Sequence, residues 1–515
     1  VRHGRAAAFL VTAFAVLVAV PVAARREAVP VRGDGRAVIV VSPHHEQIRQ
    51  EFGEAFARWH ERTHGERVTV LWNTPGGASD IRRMLEAGAL AALRAGRPVG
   101  GTADVVFGGG SWEFEQLKRP LSVEVGGVTR TASLLEPVAF DEAWLRAIFG
   151  EGVLGGRPVM DPAGHWFGAA LSSFGIVWNR EVLAHAGIDE PTGWESLADP
   201  RLRGLTALSN PAQSGSVATA MEAILQHEGW QRGWAILRRA AANARTVSAS
   251  GTRGPVDVSQ GEAAEAICID FYGRFQEQAI ADGGSPGRLG YLDPPGRTAI
   301  EADPIALLRG APEPELGRRF IEFTLSPEGQ RLWQLPPGTP GGPRRFALRR
   351  LPVSQAVWVE DRDRFIDRDD PWETARTIPG TDPNVRAFIA PLFSAMAIDT
   401  RVLLRRAWEA IVRHPAYPAG GGLVTAADVQ HPVLRSMLES FDAMPVVAAP
   451  EGATISLADA AGRAAVRDGW LRGGWSGLAL WAEAEAPADA LRIRCAAHFE
   501  RSMRDVLAVA KEQPR

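Results

Sequence analysis

The sequence predicts an α/β protein of two lobes, and three observations predict it. Apolar β-branched runs alternate with amphipathic helical stretches from residue 37 onward. The turns that follow successive strand-like runs are rich in glycine and small hydroxyl residues. The chain has 515 residues, more than one hydrophobic core usually needs.

The elements follow in order. Arg2, His3 and Arg5 precede an uncharged apolar run from Ala6 to Val20, and Pro21 then leads into Val22, Ala23 and Ala24. A basic stretch, an apolar stretch and small residues at the end match a secretion signal cleaved after Ala24. Ala6 to Ala24 is also close to the span of a bilayer core, so residues 1–26 are expected to be a signal peptide or, if uncleaved, a membrane anchor. Beyond a Pro/Gly/Arg linker, Ala37–Val41 reads as a buried strand. Ile48, Phe52, Phe56 and Trp59 recur at helical spacing, with Gly65 past the helix end. Val68, Val70 and Trp72 alternate as a second strand, Ser79 and Asp80 open a second helix, and Ala103–Phe107 is a third strand. A β-α-β-α-β order predicts an open, mostly parallel sheet.

A second such unit begins after Trp166, with strand-like runs over 169–178, a strand over 205–208 and helices over 217–226 and 230–242. Ser259 and Glu262 have capping-box spacing, which predicts a short helix just before a strand over 266–271. A strand over 299–308 precedes a helical stretch over 315–333, restarted at Ser326-Pro327. Residues 385–413, 433–441 and 491–511 read as helices.

Composition narrows the function. Hydrophobic residues make up 45% and charged residues 23%, as in ordinary globular proteins, and 57 basic against 60 acidic residues offer no bulk attraction to nucleic acid. Nearly all the basic residues are arginine, lysine occurring only at 118 and 511. Cys268 and Cys495 are far apart; a bridge between them and two buried thiols are both compatible with the spacing. Most of the sixteen tryptophans fall at core positions, leaving Trp112 and Trp166, in predicted loops, as the candidates to stack on a sugar.

In open α/β sheets ligands bind beyond the carboxyl ends of strands, where turns and helix N-termini present unpaired N–H groups. Five turns have that character: Ser42-Pro-His44-His45, Thr74-Pro-Gly76-Gly77, Gly108-Gly109-Gly110, Ser172-Ser173 and Ser214-Gly215-Ser216. Small hydroxyl residues and glycine let the backbone approach a ligand, and helix dipoles favour an anion.

The runs Trp166–Asn179, Pro191–Pro200 and Ser209–Ser216, with Asp303-Pro-Ile-Ala306, Phe320–Phe323 and Ser326–Gln330, resemble the bacterial extracellular solute-binding proteins of ABC importers, and more narrowly their ferric-iron and phosphosugar-binding branch. The resemblance covers roughly residues 36 to 345. It implies a type II periplasmic-binding fold, with crossover hinge strands near Gly108 and Pro294, a ligand in the cleft and permease subunits as partners. The expected division is 36–132 plus 297–335 for lobe 1, 133–296 plus 336–445 for lobe 2, and a helical C-terminal extension over 446–515. Iron-binding members use paired tyrosinates. Here Asp270-Phe271-Tyr272 stands in that place with a single phenol, so Tyr272 and His45 are the only candidate metal ligands.

The expected protein is therefore a monomeric, non-catalytic capture protein working in the periplasm or outside the cell, or held at the outer face of the cytoplasmic membrane by an uncleaved segment. It contacts the membrane only through that segment and needs no cofactor. Its ligand is a phosphorylated or carboxylated organic molecule, with ferric iron as the weaker transported ligand. The binding residues expected are Ser42, His44, Gly76, Gly77, Gly109, Ser172, Ser173, Ser214, Gly215, Ser216, Asp270 and Tyr272. The alternatives are a membrane-anchored ligand sensor and an exported hydrolase; the latter would need a base and an oxyanion pocket beside Ser172 or Ser214, and Ser214-Gly215-Ser216 reads more naturally as an anion cradle.

Overall fold

The computed structural model describes residues 35–377, 382, 384–448, 454–471 and 487–512. The expected signal or anchor segment, residues 1–26, lies outside the described residues. Among those described, no single helix is long and apolar enough to cross a membrane.

The chain opens with strand β1 (Arg36–Val41), helix α1 (Glu46–His64), β2 (Val68–Asn73), α2 (Ala78–Arg94), β3 (Val105–Phe107) and α3 (Ser111–Lys118). A hairpin over 121–132, a short β4 (Leu135–Glu136), a helix over 142–149 and a small hairpin over 153–158 lead to β5 (Phe167–Ser172). Then come β6 (Phe174–Asn179), β7 (Thr206–Ser209), α4 (Gly215–Glu228), α5 (Trp230–Asn243), β8 (Ala244–Ser248), β9 (Glu265–Ile269), α6 (Asp270–Asp282) and β10 (Leu289–Leu292). The strand β11 (Glu301–Leu308) and a short β12 (Leu351–Pro352) follow, and the chain ends in helices α7 (Val385–Ser394), α8 (Arg401–Val412), α9 (Pro432–Asp442) and α10 (Pro487–Lys511).

Two sheets result. The first runs β12-β5-β11-β3-β1-β2, with β4 paired to β11; the second runs β8-β7-β9-β6-β10. Both are mixed. β1 pairs in parallel with β2 and β3, whereas β11 runs antiparallel to β3 and β5. The helix α1 buries Ile48, Phe52, Phe56 and Trp59 against the first sheet, and Gly65 ends it in the left-handed conformation, as the spacing predicts.

The chain passes between sheets at the Ser172–Phe174 junction and returns between Leu292 and Glu301. The two crossings are tied together: Thr298 Oγ1 donates to the Phe174 carbonyl at 2.6 Å and accepts from its N–H at 3.1 Å. The return agrees with a crossover near Pro294, but the expected crossover near Gly108 is corrected. Gly108 N–H donates to the Pro304 carbonyl at 2.8 Å, keeping that turn in the first sheet, and the chain stays on this side for about sixty more residues.

Packing also redraws the expected lobe boundaries. Leu135, Phe149, Phe167, Leu171, Leu351, Trp358 and Phe365 share one core with β1 and β3, so 133–172 and 336–365 pack with the first lobe, since β5 is hydrogen-bonded to β11. Helices α7 to α10 share a core with α4 and α5, so the C-terminal helices complete the second lobe instead of extending from it. Arg238 and Arg239, both fully buried on α5, fasten them. Arg238 donates to the Phe441 and Ala443 carbonyls, and Arg239 holds Asp442 at 2.7 Å and the Val424 carbonyl at 2.6 Å. Cys268 and Cys495 are buried free thiols.

The predicted helix at Ser259 is also corrected. Ser259 ends a helix over 253–259, its hydroxyl donating back to the Val256 carbonyl at 2.8 Å, and Glu262 pairs with Arg245. The strand expected over 266–271 stops at Ile269, and Asp270 begins α6, which places Tyr272 in the first helical turn.

Candidate functional site

A cleft of about 300 Å³ opens between the two sheets. Its walls come from the ends of strands and the starts of helices on both sides. The N-cap residues of five long helices line it: His45 of α1, Gly77 of α2, Gly110 of α3, Ser214 of α4 and Ile269 of α6. Among these, His45, Gly77, Gly110 and Ile269 give no side-chain cap, so the first-turn N–H groups behind them have no side-chain acceptor from the N-cap. Ser214 caps α4 through a long contact to Val217 N–H, 3.5 Å, and its hydroxyl lies 3.2 Å from that of Ser216. First-turn N–H groups of five helices at one cleft favour an anion, while the carboxylates of Asp80, Glu301 and Asp303, which also line it, oppose one.

The sequence-predicted residues divide in the structure. His44, His45, Gly76, Gly77, Gly109, Ser172, Ser214, Gly215, Ser216 and Tyr272 line the cleft together. Ser42, Ser173 and Asp270 are buried behind it. Ser42 Oγ accepts from His44 N–H at 3.1 Å and so shapes the turn; the Ser173 carbonyl accepts from Asp270 N–H at 3.0 Å, joining the crossing to the start of α6. Asp270 faces Arg274, and burial first, then the nearby Asp293, raises its pKa to about 6. Of the two tryptophans singled out, Trp166 is fully buried and donates to Glu115 at 2.9 Å, while Trp112 belongs to α3 and lies between the guanidinium groups of Arg82 and Arg386.

The floor of the cleft is a charged cluster that sequence reasoning missed. Arg350, 1% exposed and just before β12, donates to Asp303 on β11 and to Ser172 on β5. Its guanidinium stacks on the Phe271 ring at 4.4 Å. Asp303 also accepts from Gly109 N–H at 2.6 Å and lies 2.8 Å from His44 Nε2. Burial works to raise the Asp303 pKa, but Arg350 and His44 outweigh it and hold the carboxyl below its ordinary range. Burial lowers the His44 pKa, with Arg350 adding to the effect against Asp303, so the imidazole is held toward neutrality. Gly108 has φ 98°, and a Cβ there would lie 2.7 Å from the His44 ring; only glycine permits this packing. Glu301, opposite Ser172 in the sheet register, accepts from Ser111 at 2.7 Å and also lines the cleft. Ser250, Gly251 and Thr252 complete the second-lobe wall, again unpredicted.

His45 and Tyr272, the candidate metal ligands, have ring centroids 5.1 Å apart. Among the described residues no three His, Cys, Asp or Glu side chains are grouped as a metal site. Burial raises the Tyr272 pKa to about 12, which makes the phenolate that iron requires costly.

A segment is 28% identical over 163 residues to the phosphoglycerate transport regulatory protein PgtC of Salmonella typhimurium, covering 32% of this chain and 39% of that protein. Another match is an uncharacterized protein of Haemophilus influenzae, 29% identical over 164 residues, 32% of this chain and 45% of that one. The chain thus spans less than half the length of these curated relatives. Among solved structures, the periplasmic binding protein AfuA from Actinobacillus pleuropneumoniae, with exogenous fructose-6-phosphate bound, superposes with a TM-score of 0.50 at 17% identity, over 73% of this chain and 98% of that one. Residues 156–359 match the model of the bacterial extracellular solute-binding protein family. Residues 156–359 are thus similar to the bacterial extracellular solute-binding protein family, and the chain shares the fold of the type II periplasmic binding proteins.

Proposed function

We propose that this protein captures a small organic anion, phosphorylated or carboxylated, in the cleft between its lobes and presents it to the permease subunits of an ABC importer, performing no chemistry on it. The observation that carries this reading is the convergence of five helix N-termini on one cleft lined by glycine and small hydroxyl residues. PgtC, by its name a phosphoglycerate transport regulatory protein, and AfuA, with fructose-6-phosphate bound, lend support because both concern phosphorylated solutes. On this reading the protein works as a monomer in the periplasm or at the outer face of the membrane. His44, Gly77, Gly109, Ser172, Ser214, Gly215 and Ser216 then hold the ligand, with Arg350 fixing the floor.

Native mass spectrometry of protein recovered from the cell envelope tests the reading. A non-covalent adduct with the mass of a phosphorylated or carboxylated metabolite is expected, and an adduct of a neutral sugar would contradict it. Ser214→Ala should weaken binding of the captured anion by about tenfold or more, since a hydrogen bond to a charged group contributes about 1.5–3 kcal/mol. The same change should cost only about 1 kcal/mol of fold stability through the lost helix cap. Titration calorimetry beside thermal melting separates the two effects.

The ferric alternative has its own outcome. With Tyr272 the single phenol at the cleft and its pKa pushed up to about 12, added ferric iron should produce no visible phenolate charge-transfer band. A band that disappears in Tyr272→Phe would instead establish iron binding.

A further inference from the structure

Glu113, on α3 of the first lobe, reaches the N-terminus of α4 in the second. Its carboxylate is 2% exposed, and a Cβ placed on Gly215 would lie 2.7 Å from its Oε1. Ser79 Oγ on α2 donates to it at 3.3 Å, and the Glu113 backbone N–H also hydrogen-bonds to it. The charged groups facing it are Arg82 on α2, Glu301 on β11 and Arg386 on α7. Neither arginine is dedicated to it. Arg82 is paired with Glu86 at 2.8 Å, and Arg386 is engaged by Thr219 at 2.9 Å and Glu222 at 3.4 Å. A carboxylate therefore sits against the same helix end that the cleft offers to a ligand, without a matched counter-ion.

We propose that Glu113 couples anion capture to the uptake of one proton from solvent, because the α4 N-terminus accommodates a ligand anion beside a neutral carboxylic acid and not beside a second anion. This rests on the reading of the cleft as an anion site. The supporting electrostatics run the same way: burial raises the Glu113 pKa and Glu301 adds to it, while Arg386 and Arg82 only offset part of that rise. A ligand anion adds like charge and raises it further. The free protein ionises Glu113 as pH rises, so capture at higher pH must first return the proton. Affinity then falls with rising pH, and the carboxyl serves as a selectivity element that links capture to the acidity of the compartment.

The test is titration calorimetry with 3-phosphoglycerate from pH 7 to 8.5, where its phosphate is fully ionised, in buffers of contrasting ionisation enthalpy. The wild-type protein should take up protons on binding ligand and lose affinity as pH rises, by up to about tenfold per pH unit for one coupled proton. Glu113→Gln, the isosteric neutral form, should bind without proton uptake, with affinity flat in pH and above wild type at pH 8.5. Binding by the wild type without proton uptake, or uptake unchanged in Glu113→Gln, overturns the coupling while leaving the anion site standing. Failure of 3-phosphoglycerate, fructose 6-phosphate and inorganic phosphate alike to bind the wild type would overturn the anion site and the coupling with it. Because the wild-type measurement alone decides the first point, a poorly folding variant does not protect the proposal.

Discussion

Replacing Arg350 with alanine should destabilise the protein by about 3–5 kcal/mol and abolish ligand capture, because it leaves the buried Asp303 carboxylate without its main counter-charge. Arg350 joins three strands of the first sheet: it stands before β12 and holds Asp303 on β11 and Ser172 on β5. The loss should also grow as pH rises. In the intact protein the lowered Asp303 pKa contributes stability that is present above the ordinary carboxylate range and is lost as pH falls through the lowered value. Without Arg350, burial dominates and raises that pKa, so the variant should become less stable as pH rises. Denaturant unfolding from pH 4 to pH 8 reads both effects. Arg350→Lys should recover only part of the stability, since a point charge cannot bridge Asp303 and Ser172 as a planar fork does. If Arg350→Ala unfolds at the wild-type midpoint, the cluster is not what organises the cleft floor.

Glu265→Gln should make the protein more stable, by an amount that grows with pH. Glu265 is fully buried in β9, between Trp178 on β6 and Thr206 on β7 in the cross-strand register. Among the described residues, neither carboxylate oxygen has a hydrogen-bond partner, nor do the Thr206 hydroxyl and the Trp178 indole N–H. Burial, with Asp199 nearby, raises the Glu265 pKa to about 8. A folded pKa above the unfolded value means that stability is fully present below the ordinary carboxylate pKa and is lost as pH rises toward the folded value. Between pH 5 and pH 8.5 the wild type should lose on the order of 4 kcal/mol that the glutamine variant keeps. Unfolding curves for the two proteins that stay parallel across that range would show that Glu265 is paired or hydrated in solution.

Much of the architecture could be read from the chain, and the exceptions have physical causes. The run Ala37–Val41 and the spacing of Ile48, Phe52, Phe56 and Trp59 announced β1 and α1 because their burial follows local periodicity. The cleft turns were readable for a similar reason: glycine and serine at a strand-to-helix junction state a local backbone need. Ser259 misled because its signature is reversible, the same hydroxyl being able to end the preceding helix as it does here. Arg350 left no trace in a chain whose basic residues are nearly all arginine. Its partners lie 47, 178 and 306 positions away, so only the fold brings them together. The lobe boundaries failed likewise, because the pairing of β5 with β11 joins residues such as Ser172 and Glu301 that are far apart in the chain, beyond what periodicity reports.

The central claim is that the cleft recognises an anion through helix ends and small hydroxyl groups. The most direct test is calorimetric titration of the purified protein with fructose 6-phosphate and with fructose under identical conditions. The account predicts that the phosphorylated sugar binds at least about a hundredfold more tightly, as expected when about 3 kcal/mol of charge-assisted hydrogen bonding is added. Equal affinity for the two sugars, or binding of fructose alone, would contradict it.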